Sequence, residues 1–200
     1  MGVITKKTKP LQSYARRRNF NKTTEPEPKR PKKTQKEPVF TIQEHHASHV
    51  HWDLRIEING VMSSWAVPKG PSTDPKIKRL AVQTEDHPLA YATFEGVIPA
   101  GEYGAGTVMV WDYGTYENVR TDAMSTCLKN GRIEIFLHGK KLTGIFVLIK
   151  IKMGWLFFKK DDQYSSTENI IKIQTCSALT GRTIEEITAQ ESGKPCRGCL

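Results

Sequence analysis

The chain has 200 residues, a length that suits one domain with a sizeable core and short extensions. Its net charge of +9 comes entirely from residues 1–38, which hold 12 of the 30 Lys and Arg residues but only three of the 21 Asp and Glu residues. The balanced remainder excludes a body that binds polyanions through bulk charge, and leaves the N-terminal segment as a salt-sensitive contact to a phosphate backbone.

Residues 1–38 are predicted to form a basic, partly disordered N-terminal arm. Their Lys, Pro and Thr content cannot bury a core and favours an extended chain. The patch from Tyr14 to Phe20 differs from its surroundings, because two aromatic residues flank three arginines. We expect this patch to dock on the folded body, and a position beside the functional site is one option.

Residues 39–164 are predicted to form the main domain, built from short strands separated by Gly, Pro and Asp. The strand patterns cover 39–44, 49–58, 61–67, 78–84, 106–112, 114–119, 132–138, 143–151 and 154–160. Asn-Gly in INGVM is a strong hairpin signal, and DYGTY and KMGWL are predicted to be two more tight connections. Many short strands and few helices indicate a closed barrel or a sandwich. We favour a mainly β protein with a closed β-barrel of about eight strands and one or two short helices.

Two short helices complete the predicted elements. Residues 122–129 have a helical pattern that Gly131 is placed to end. In the predicted C-terminal tail, residues 165–200, Thr183 caps a second helix and Glu186 completes a capping box.

The sequence shows no sign of export or membrane insertion. No apolar run approaches the roughly 18 residues that span a bilayer, and the basic N-terminus lacks the apolar core of a signal peptide. The four cysteines suit free thiols in a reducing compartment. Cys196 and Cys199, the pair in CRGC, lack the second close pair that would strengthen a structural zinc site. We expect a cytoplasmic protein.

The glycines of GEYGAGTVMVWD, residues 101–112, suggest a phosphate-binding loop. A strand rather than a helix N-terminus follows them, however, and the lysine of a nucleotide-binding loop is absent. This segment is therefore predicted to be a glycine-bearing turn into a barrel strand.

The run HHASHVHWDLRIEI, residues 45–58, carries the most distinctive chemistry. Its apolar residues alternate strictly with polar ones, so a strand here has one apolar and one polar face. The polar positions are His49, His51, Asp53, Arg55 and Glu57. An ordinary solvated face uses Lys, Thr, Ser and Glu, whereas two imidazoles, a carboxylate and a guanidinium indicate a functional face.

This polar face is a candidate metal site. His51 and Asp53 are two residues apart, about 6.6 Å along a strand, so both side chains reach one ion. His45 is a candidate third ligand, and His46 and His49 are alternatives that spacing does not separate. Two histidines and one carboxylate leave open positions on the ion, which suits catalysis. Nitrogen and oxygen ligands without thiolate favour Mn²⁺, Fe²⁺, Co²⁺ or Zn²⁺ over Ca²⁺.

Several side chains that bind oxyanions accompany this run. They are Arg55, Lys69, Arg79, His87 and Tyr91. A guanidinium, an ammonium, an imidazole and a phenol beside a divalent ion are the groups that a phosphate needs. Any one of them alone would more often be a surface residue, but their co-occurrence indicates a phosphate site.

The motifs that carry these residues are QEH, HWDLRIE, SWAVPKGP, RLAVQTEDHPLAY, FEG and IPAGEYGAG. They closely resemble the 3′-phosphoesterase domain of bacterial DNA ligase D and its free-standing archaeal and bacterial relatives, from about residue 14 to residue 164. The resemblance implies a β-barrel enzyme that repairs DNA 3′ ends, with Mn²⁺ as the typical cofactor and Co²⁺ or Zn²⁺ as other options. Such an enzyme removes a 3′-terminal nucleoside next to a ribonucleotide and then hydrolyses the 3′-phosphate that is left.

The resemblance also implies roles for individual residues. It implies that the metal ligands are His45, His51 and Asp53. It implies that the groups that bind or act on the scissile phosphate are Gln43, Arg55, Lys69, Arg79, His87 and Tyr91, with Arg18 and Glu25 contributed by the arm. Asn19 departs from the family, which usually has Asp there, and an amide cannot supply that charge or accept a proton.

We therefore expect a free-standing, monomeric phosphoesterase that acts on DNA 3′ ends, including primer-templates with 3′ ribonucleotides or a 3′-phosphate. It would act beside a separate DNA ligase and polymerase in end joining. One alternative is an iron oxygenase, because H-x-D with a distant histidine is also the facial triad on a β-barrel. That alternative leaves Lys69, Arg79 and Tyr91 unexplained. A second alternative, a non-catalytic DNA-binding barrel that uses the basic arm, gives the alternating polar face no purpose.

Overall fold

The structure, a computed structural model, describes residues 11–29 and 37–191. The predictions for residues 1–10 and 30–36 of the arm, and for the CRGC pair, lie outside the described residues. The segment 11–29 packs against the body, since Tyr14 is fully buried in an apolar cluster with Tyr91, Phe94 and Ile98.

The described residues form nine strands and a few short helices. The strands are β1 Val39–His46, β2 Val50–Ile58, β3 Val61–Val67, β4 Arg79–Gln83, β5 Gly96–Ile98, β6 Gly106–Asn118, β7 Arg132–Gly139, β8 Thr143–Ile151 and β9 Gly154–Lys159. The helices are α1 Gln12–Arg16, α2 Met124–Asn130, α3 Ile170–Ile173, α4 Ile184–Glu191 and a 3₁₀ helix at Leu89–Thr93.

Eight of these strands form a closed antiparallel barrel in the order β1-β2-β3-β4-β9-β8-β7-β6, and β6 pairs back with β1 to close it. β5 lies outside the barrel and pairs only with β6 among the described strands. Most neighbours are consecutive in the chain, but β4 pairs with β9 and β1 pairs with β6 far along the chain. The predicted mainly β fold with a closed barrel of about eight strands is confirmed.

The alternating run of β2 has its two predicted faces, and both are buried from Asp53 to Ile58. Leu54, Ile56 and Ile58 lie in the main core cluster. Strand alternation places Asp53 and Arg55 on the opposite face of the sheet, and they are only 7% and 3% exposed. The second, smaller cluster around Tyr14 and the 3₁₀ helix covers this face. The polar face therefore lies between the barrel wall and a covering layer.

The predicted turns are confirmed at two of three places. Asn59 and Gly60 both have positive φ, 54° and 78°, as the two-residue turn between β2 and β3 requires. KMGWL connects β8 to β9. The expected tight connection at DYGTY is wrong, because Gly114 lies inside the single long strand β6 and pairs with both Phe40 and Gly139.

Both predicted helices are present. α2 ends at Gly131, which has a φ of 76°. At the start of α4 the Thr183 hydroxyl accepts from the Glu186 amide at 3.3 Å, and the Glu186 carboxylate accepts from the Thr183 amide at 2.8 Å. This reciprocal pair is the predicted capping box. No helix among the described residues has the length and apolar content needed to cross a membrane.

Candidate active site

The three candidate metal ligands converge on the barrel wall. His45 and His51 are direct partners across β1 and β2, and Asp53 follows His51 by two residues on the same face. One ligand atom from each residue lies within 4.8 Å of the others. Asp53 Oδ2 is 3.8 Å from His45 Nδ1, and Asp53 Oδ1 is 3.7 Å from His51 Nε2. Bonds of about 2.0–2.2 Å to one ion fit these two separations.

Backbone carbonyl groups orient both imidazoles toward Asp53. His45 Nε2 donates to the carbonyl oxygen of Gly104 at 2.9 Å, and His51 Nδ1 donates to that of His49 at 2.9 Å. The nitrogen that faces Asp53 is then the unprotonated one in each ring, as metal ligation needs. Burial lowers the pKa of His45 to about 4, which keeps the ring neutral. These residues fit a divalent metal ion.

His46 and His49, the alternative third ligands, are placed differently. His46 Nε2 pairs with the carboxylate of Glu44 at 2.7 Å, and His49 is exposed. Neither belongs to the group that brings ligand atoms together among the described residues. The geometry therefore favours His45.

The Arg55 guanidinium connects the metal ligands to the rest of the site. It donates to Asp53 Oδ2 at 2.9 Å, to Gln43 Oε1 at 2.6 Å and to Ser64 Oγ at 3.0 Å. Its Nη1 also lies 2.9 Å from His87 Nδ1. Because Arg55 is 3% exposed and held at all three nitrogens, its orientation is fixed by the fold.

His87 is a buried imidazole between two guanidinium groups. Its Nδ1 lies 2.9 Å from the carbonyl oxygen of Glu85, and its Nε2 lies 3.3 Å from Nη2 of Arg18. A proton on Nδ1 satisfies the Glu85 carbonyl and leaves the Nε2 lone pair to accept from Arg18, and Arg55 Nη1 then donates to Ser64 Oγ rather than to His87. Burial, with added repulsion from Arg55 and Arg18, lowers the pKa of His87 well below its ordinary value. His87 is therefore a neutral ring whose Nε2 lone pair faces Arg18.

Residues 11–29 bring Arg18 and Glu25 into the same network. Glu25 Oε1 accepts from Arg18 Nε at 2.9 Å and from the Tyr91 hydroxyl at 3.0 Å. The Arg18 side chain is 4% exposed, and its guanidinium lies 3.7 Å from the ring centroid of Tyr14. Burial raises the pKa of Tyr91 well above its usual value, so its hydroxyl remains a donor. The predicted docking of the Tyr14–Phe20 patch beside the site agrees with these contacts.

The sequence matches a known protein family. Residues 43–150 match the DNA ligase D 3′-phosphoesterase domain family. The chain belongs to this family. It is 43% identical over 186 residues, 88% of the chain, to the multifunctional non-homologous end joining protein LigD of Pseudomonas aeruginosa. It is 46% identical over 154 residues, 76% of the chain, to the multifunctional non-homologous end joining DNA repair protein LigD of Mycobacterium tuberculosis. The chain spans about a fifth of the length of these relatives, 22% and 20%.

The family match includes two predicted phosphate-binding residues that lie apart from the central network. Lys69 is exposed at the turn after β3. Arg79 begins β4 opposite Phe157, on the same face as the core residue Ala81, and its buried Nε has no hydrogen-bond partner in the described part of the chain. Neither lines the cavity at the metal ligands. Asn19 is also outside it, and its exposed side chain accepts from the Asn21 amide at 3.2 Å.

Two residues of the site are not predicted by the sequence. A cavity of about 290 Å³ is lined by the metal ligands and, in addition, by Glu85 and Tyr103. The Glu85 carboxylate accepts from Arg18 at 2.6 Å and from Arg17 at 2.9 Å. Glu85 directly precedes the DHP motif and Tyr103 lies in the glycine-rich turn, but a lone acid or aromatic residue carries no pattern that marks it as functional.

Proposed function

We propose that the protein is a metal-dependent phosphoesterase that processes DNA 3′ ends. It would remove 3′-terminal ribonucleosides and 3′-phosphates and leave 3′-hydroxyl ends for repair by end joining. The observation that carries the proposal is a balanced set of charges beside the metal ligands. Its three carboxylates and three guanidinium groups belong to Asp53, Glu25, Glu85, Arg55, Arg18 and Arg17. A divalent cation would give this neutral set two positive charges, which a phosphate group would neutralise.

Arg55 would orient the phosphate. Its guanidinium already spans the distance from the metal ligand Asp53 to His87, so a phosphate in the cavity would lie against both ends of the network. Gln43 holds Arg55 from behind, and its own amide donates to the carbonyl groups of Tyr91 and Phe94 at 3.0 and 2.9 Å. Gln43 therefore acts by positioning Arg55.

His87 would serve as the acid–base group. Its neutral ring offers the Nε2 lone pair, which would take a proton from the attacking water and return it to the departing oxygen. That oxygen is the 5′ oxygen of the terminal nucleoside in the first step and the 3′ oxygen of the primer in the second. Arg18 lies beside that nitrogen and would stabilise charge on the phosphate. Glu25 and Tyr91 would hold Arg18 in place from the far side.

Mn²⁺ is the proposed cofactor, with Co²⁺ or Zn²⁺ as substitutes, and His45, His51 and Asp53 would hold it. When bound, the ion would supply a Lewis acid that neutralises the phosphate. Three protein ligands leave positions open for substrate. The mixture of imidazole and carboxylate suits these metals better than Ca²⁺.

The proposed substrates are DNA 3′ ends, including primer-templates that end in a ribonucleotide or a 3′-phosphate. The relatives are named as multifunctional end joining proteins, which supports a role in that repair process. A DNA ligase and a polymerase would then use the 3′-hydroxyl product. We propose that the protein acts as a monomer in the cytoplasm.

A primer assay tests the proposed function. A 5′-labelled primer-template ending in two ribonucleotides, and another ending in a 3′-phosphate, are incubated with the protein and Mn²⁺ and resolved on a denaturing gel. We expect the first to yield a 3′-phosphate and then a 3′-hydroxyl, and the second to yield a 3′-hydroxyl. Primers that are bound but unchanged would favour the non-catalytic DNA-binding barrel. Oxidised products that require Fe²⁺, O₂ and an oxoacid would favour the oxygenase.

A further inference from the structure

A second cavity adjoins the one at the metal ligands. It has a volume of about 710 Å³ and shares Thr84, Glu85 and Tyr103 with the first cavity of about 290 Å³. Arg16 and Arg17 from the N-terminal segment line its other side. Because the two cavities adjoin at these residues, the larger one has room for a group attached to a phosphate in the smaller one.

We propose that Tyr103 and Arg17 form a stacking platform for the nucleotide that carries the scissile phosphate. This inference rests on the proposed function, and it names a specificity-determining residue of the same site. Nearly half of Tyr103 is exposed, 48%, although it lies at the junction of the two cavities. The Arg17 guanidinium lies 4.7 Å from the centroid of its ring and donates to its hydroxyl at 2.6 Å. An exposed aromatic ring beside a cation is how proteins hold single-stranded nucleic acid.

The loop that carries Tyr103 is tied to the metal site. The carbonyl oxygen of the next residue, Gly104, accepts from His45 Nε2 at 2.9 Å. Gly104 has a φ of 80°, a conformation that glycine adopts without strain. Tyr103 is therefore connected to the metal ligand His45 through the backbone of Gly104. A base that stacks on Tyr103 would position the 3′ phosphate of the same nucleotide relative to the metal site.

Arg17 is exposed enough to contact the DNA backbone. Its side chain is 47% exposed and pairs with Glu85 at 2.9 Å. Glu85 keeps a second partner, because Arg18 donates to it at 2.6 Å and is only 4% exposed. Arg17 can therefore exchange Glu85 for a phosphate without leaving a buried carboxylate unpaired.

The test measures binding without turnover. A single-stranded oligonucleotide with a 3′-phosphate is titrated with protein in EDTA, followed by anisotropy, for the wild type, Tyr103→Ala and Tyr103→Phe. Tyr164→Ala is the matched control, because Tyr164 is 41% exposed and lines neither cavity. We expect Tyr103→Ala to raise Kd roughly 5- to 100-fold, as loss of one stacking contact does, and Tyr103→Phe to stay within about threefold. The control variant should bind like the wild type.

Two substrates identify stacking as the cause. With 2-aminopurine as the 3′-terminal base, binding should quench its fluorescence in the wild type and in Tyr103→Phe, but not in Tyr103→Ala. An abasic terminal nucleotide should weaken binding by the wild type and leave Tyr103→Ala without a further loss. The platform would be overturned if the abasic nucleotide raises Kd equally for the wild type and for Tyr103→Ala. It would also be overturned if these two proteins bind the intact oligonucleotide with equal Kd values.

The proposed function fails separately, if the wild type with Mn²⁺ leaves 3′-phosphate ends unchanged. If the wild type hydrolyses these ends and Tyr103→Ala binds the oligonucleotide as tightly as the wild type, the platform is refuted but the proposed function is not.

Discussion

Arg55 shows how much of the site depends on one side chain. Its guanidinium contacts a metal ligand, a positioning amide and the imidazole of His87. A lysine would keep the charge but could not make these contacts in one plane. The alternation in β2 predicts that Arg55 and Asp53 share a face, because strand geometry fixes that relation. Its neighbour His87 lies 32 residues away in the chain, and no local pattern predicts which of many such residues meets it.

The metal ligands give the first residue-scale prediction. Asp53→Asn should keep an acceptor for Arg55 but lose the charged ligand, and His51→Ala removes an imidazole. We expect either change to weaken Mn²⁺ binding by more than about 100-fold, because even residues that only support a ligand contribute 10- to 100-fold. Isothermal titration calorimetry measures the affinity, and loss of 3′-phosphate hydrolysis should accompany it.

His49→Ala is the control for these two variants. His49 lies two residues before His51 in the chain, but its side chain is exposed and outside the ligand group. It should bind Mn²⁺ like the wild type. Equal affinities for Asp53→Asn and His49→Ala would show that the ion is held elsewhere.

At the scale of elements, the sequence predicts hairpins well and long-range strand pairs poorly. The β2–β3 turn follows from Asn-Gly, since both positions need positive φ. The pairing of β4 with β9, which helps to close the barrel, has no local signal. β5 has only three residues, too few for an alternating pattern to mark it as a strand. The sequence predicts a turn at Gly114, but glycine here marks a close approach of three strands rather than a change of direction.

Gly114→Ala tests this interpretation of β6. A Cβ at position 114 would overlap the carbonyl group of His138 on β7, and backbone cannot yield as a flexible side chain does. We expect a loss of roughly 1–3 kcal/mol of unfolding free energy, the usual cost of overpacking. Urea unfolding followed by circular dichroism measures it.

The matched control for Gly114→Ala is Gly181→Asn. Gly181 has a φ of 72°, a Cβ there would meet no other atom within 4 Å, and asparagine tolerates the left-handed region. Gly181→Asn should lower the free energy of unfolding by less than Gly114→Ala does. The reverse order would mean that backbone strain, and not the close approach of strands, governs glycine use in this fold.

At the scale of the whole molecule, the covering layer turns a strand face into a buried site. The polar side of β2 would be solvated in an isolated barrel, but residues 11–29 and the segment around His87 cover it and bury it from solvent. Composition alone predicts that the N-terminal segment is an arm, because its apolar content is low. Its few aromatic residues, Tyr14 and Phe20, are the ones that pack.

This burial predicts a pH dependence of stability. His87 has a lowered pKa in the folded protein, so below its ordinary value of about 6.5 the unfolded chain binds a proton that the folded chain does not. Stability must then fall as pH falls. In EDTA, we expect the wild type to lose on the order of 1 kcal/mol of unfolding free energy relative to His87→Gln between pH 7.5 and 5.5. Urea unfolding at several pH values gives the difference.

His138→Gln is the control for the pH series, because the His138 side chain is 44% exposed and pairs with Glu117 at the surface. The free energy of unfolding of His138→Gln should change with pH as it does in the wild type. If His87→Gln also follows the wild type, the imidazole of His87 is protonated in the folded protein at pH 5.5.

The uneven charge distribution gives the last prediction. Residues 1–10 carry Lys6, Lys7 and Lys9 and no acidic residue, so their deletion lowers the net charge from +9 to about +6. Each lysine that neutralises a phosphate contributes about 0.7–0.9 to the slope of log affinity against log salt. We therefore expect deletion of residues 1–10 to flatten this slope by roughly 2–3 and to weaken DNA binding at low salt. The rate at saturating substrate should not change, because the segment 11–29 that supplies Arg18 and Glu25 is kept.

Arg18→Gln separates these two contributions. It removes one charge at the site, so it should lower the saturated rate while changing the salt slope by no more than about one. Binding is measured by anisotropy from 50 to 300 mM salt, and the rate with a 3′-phosphate primer in Mn²⁺. A truncated protein with an unchanged slope, or with a reduced rate at saturation, would show that residues 1–10 contact the site instead of the DNA backbone.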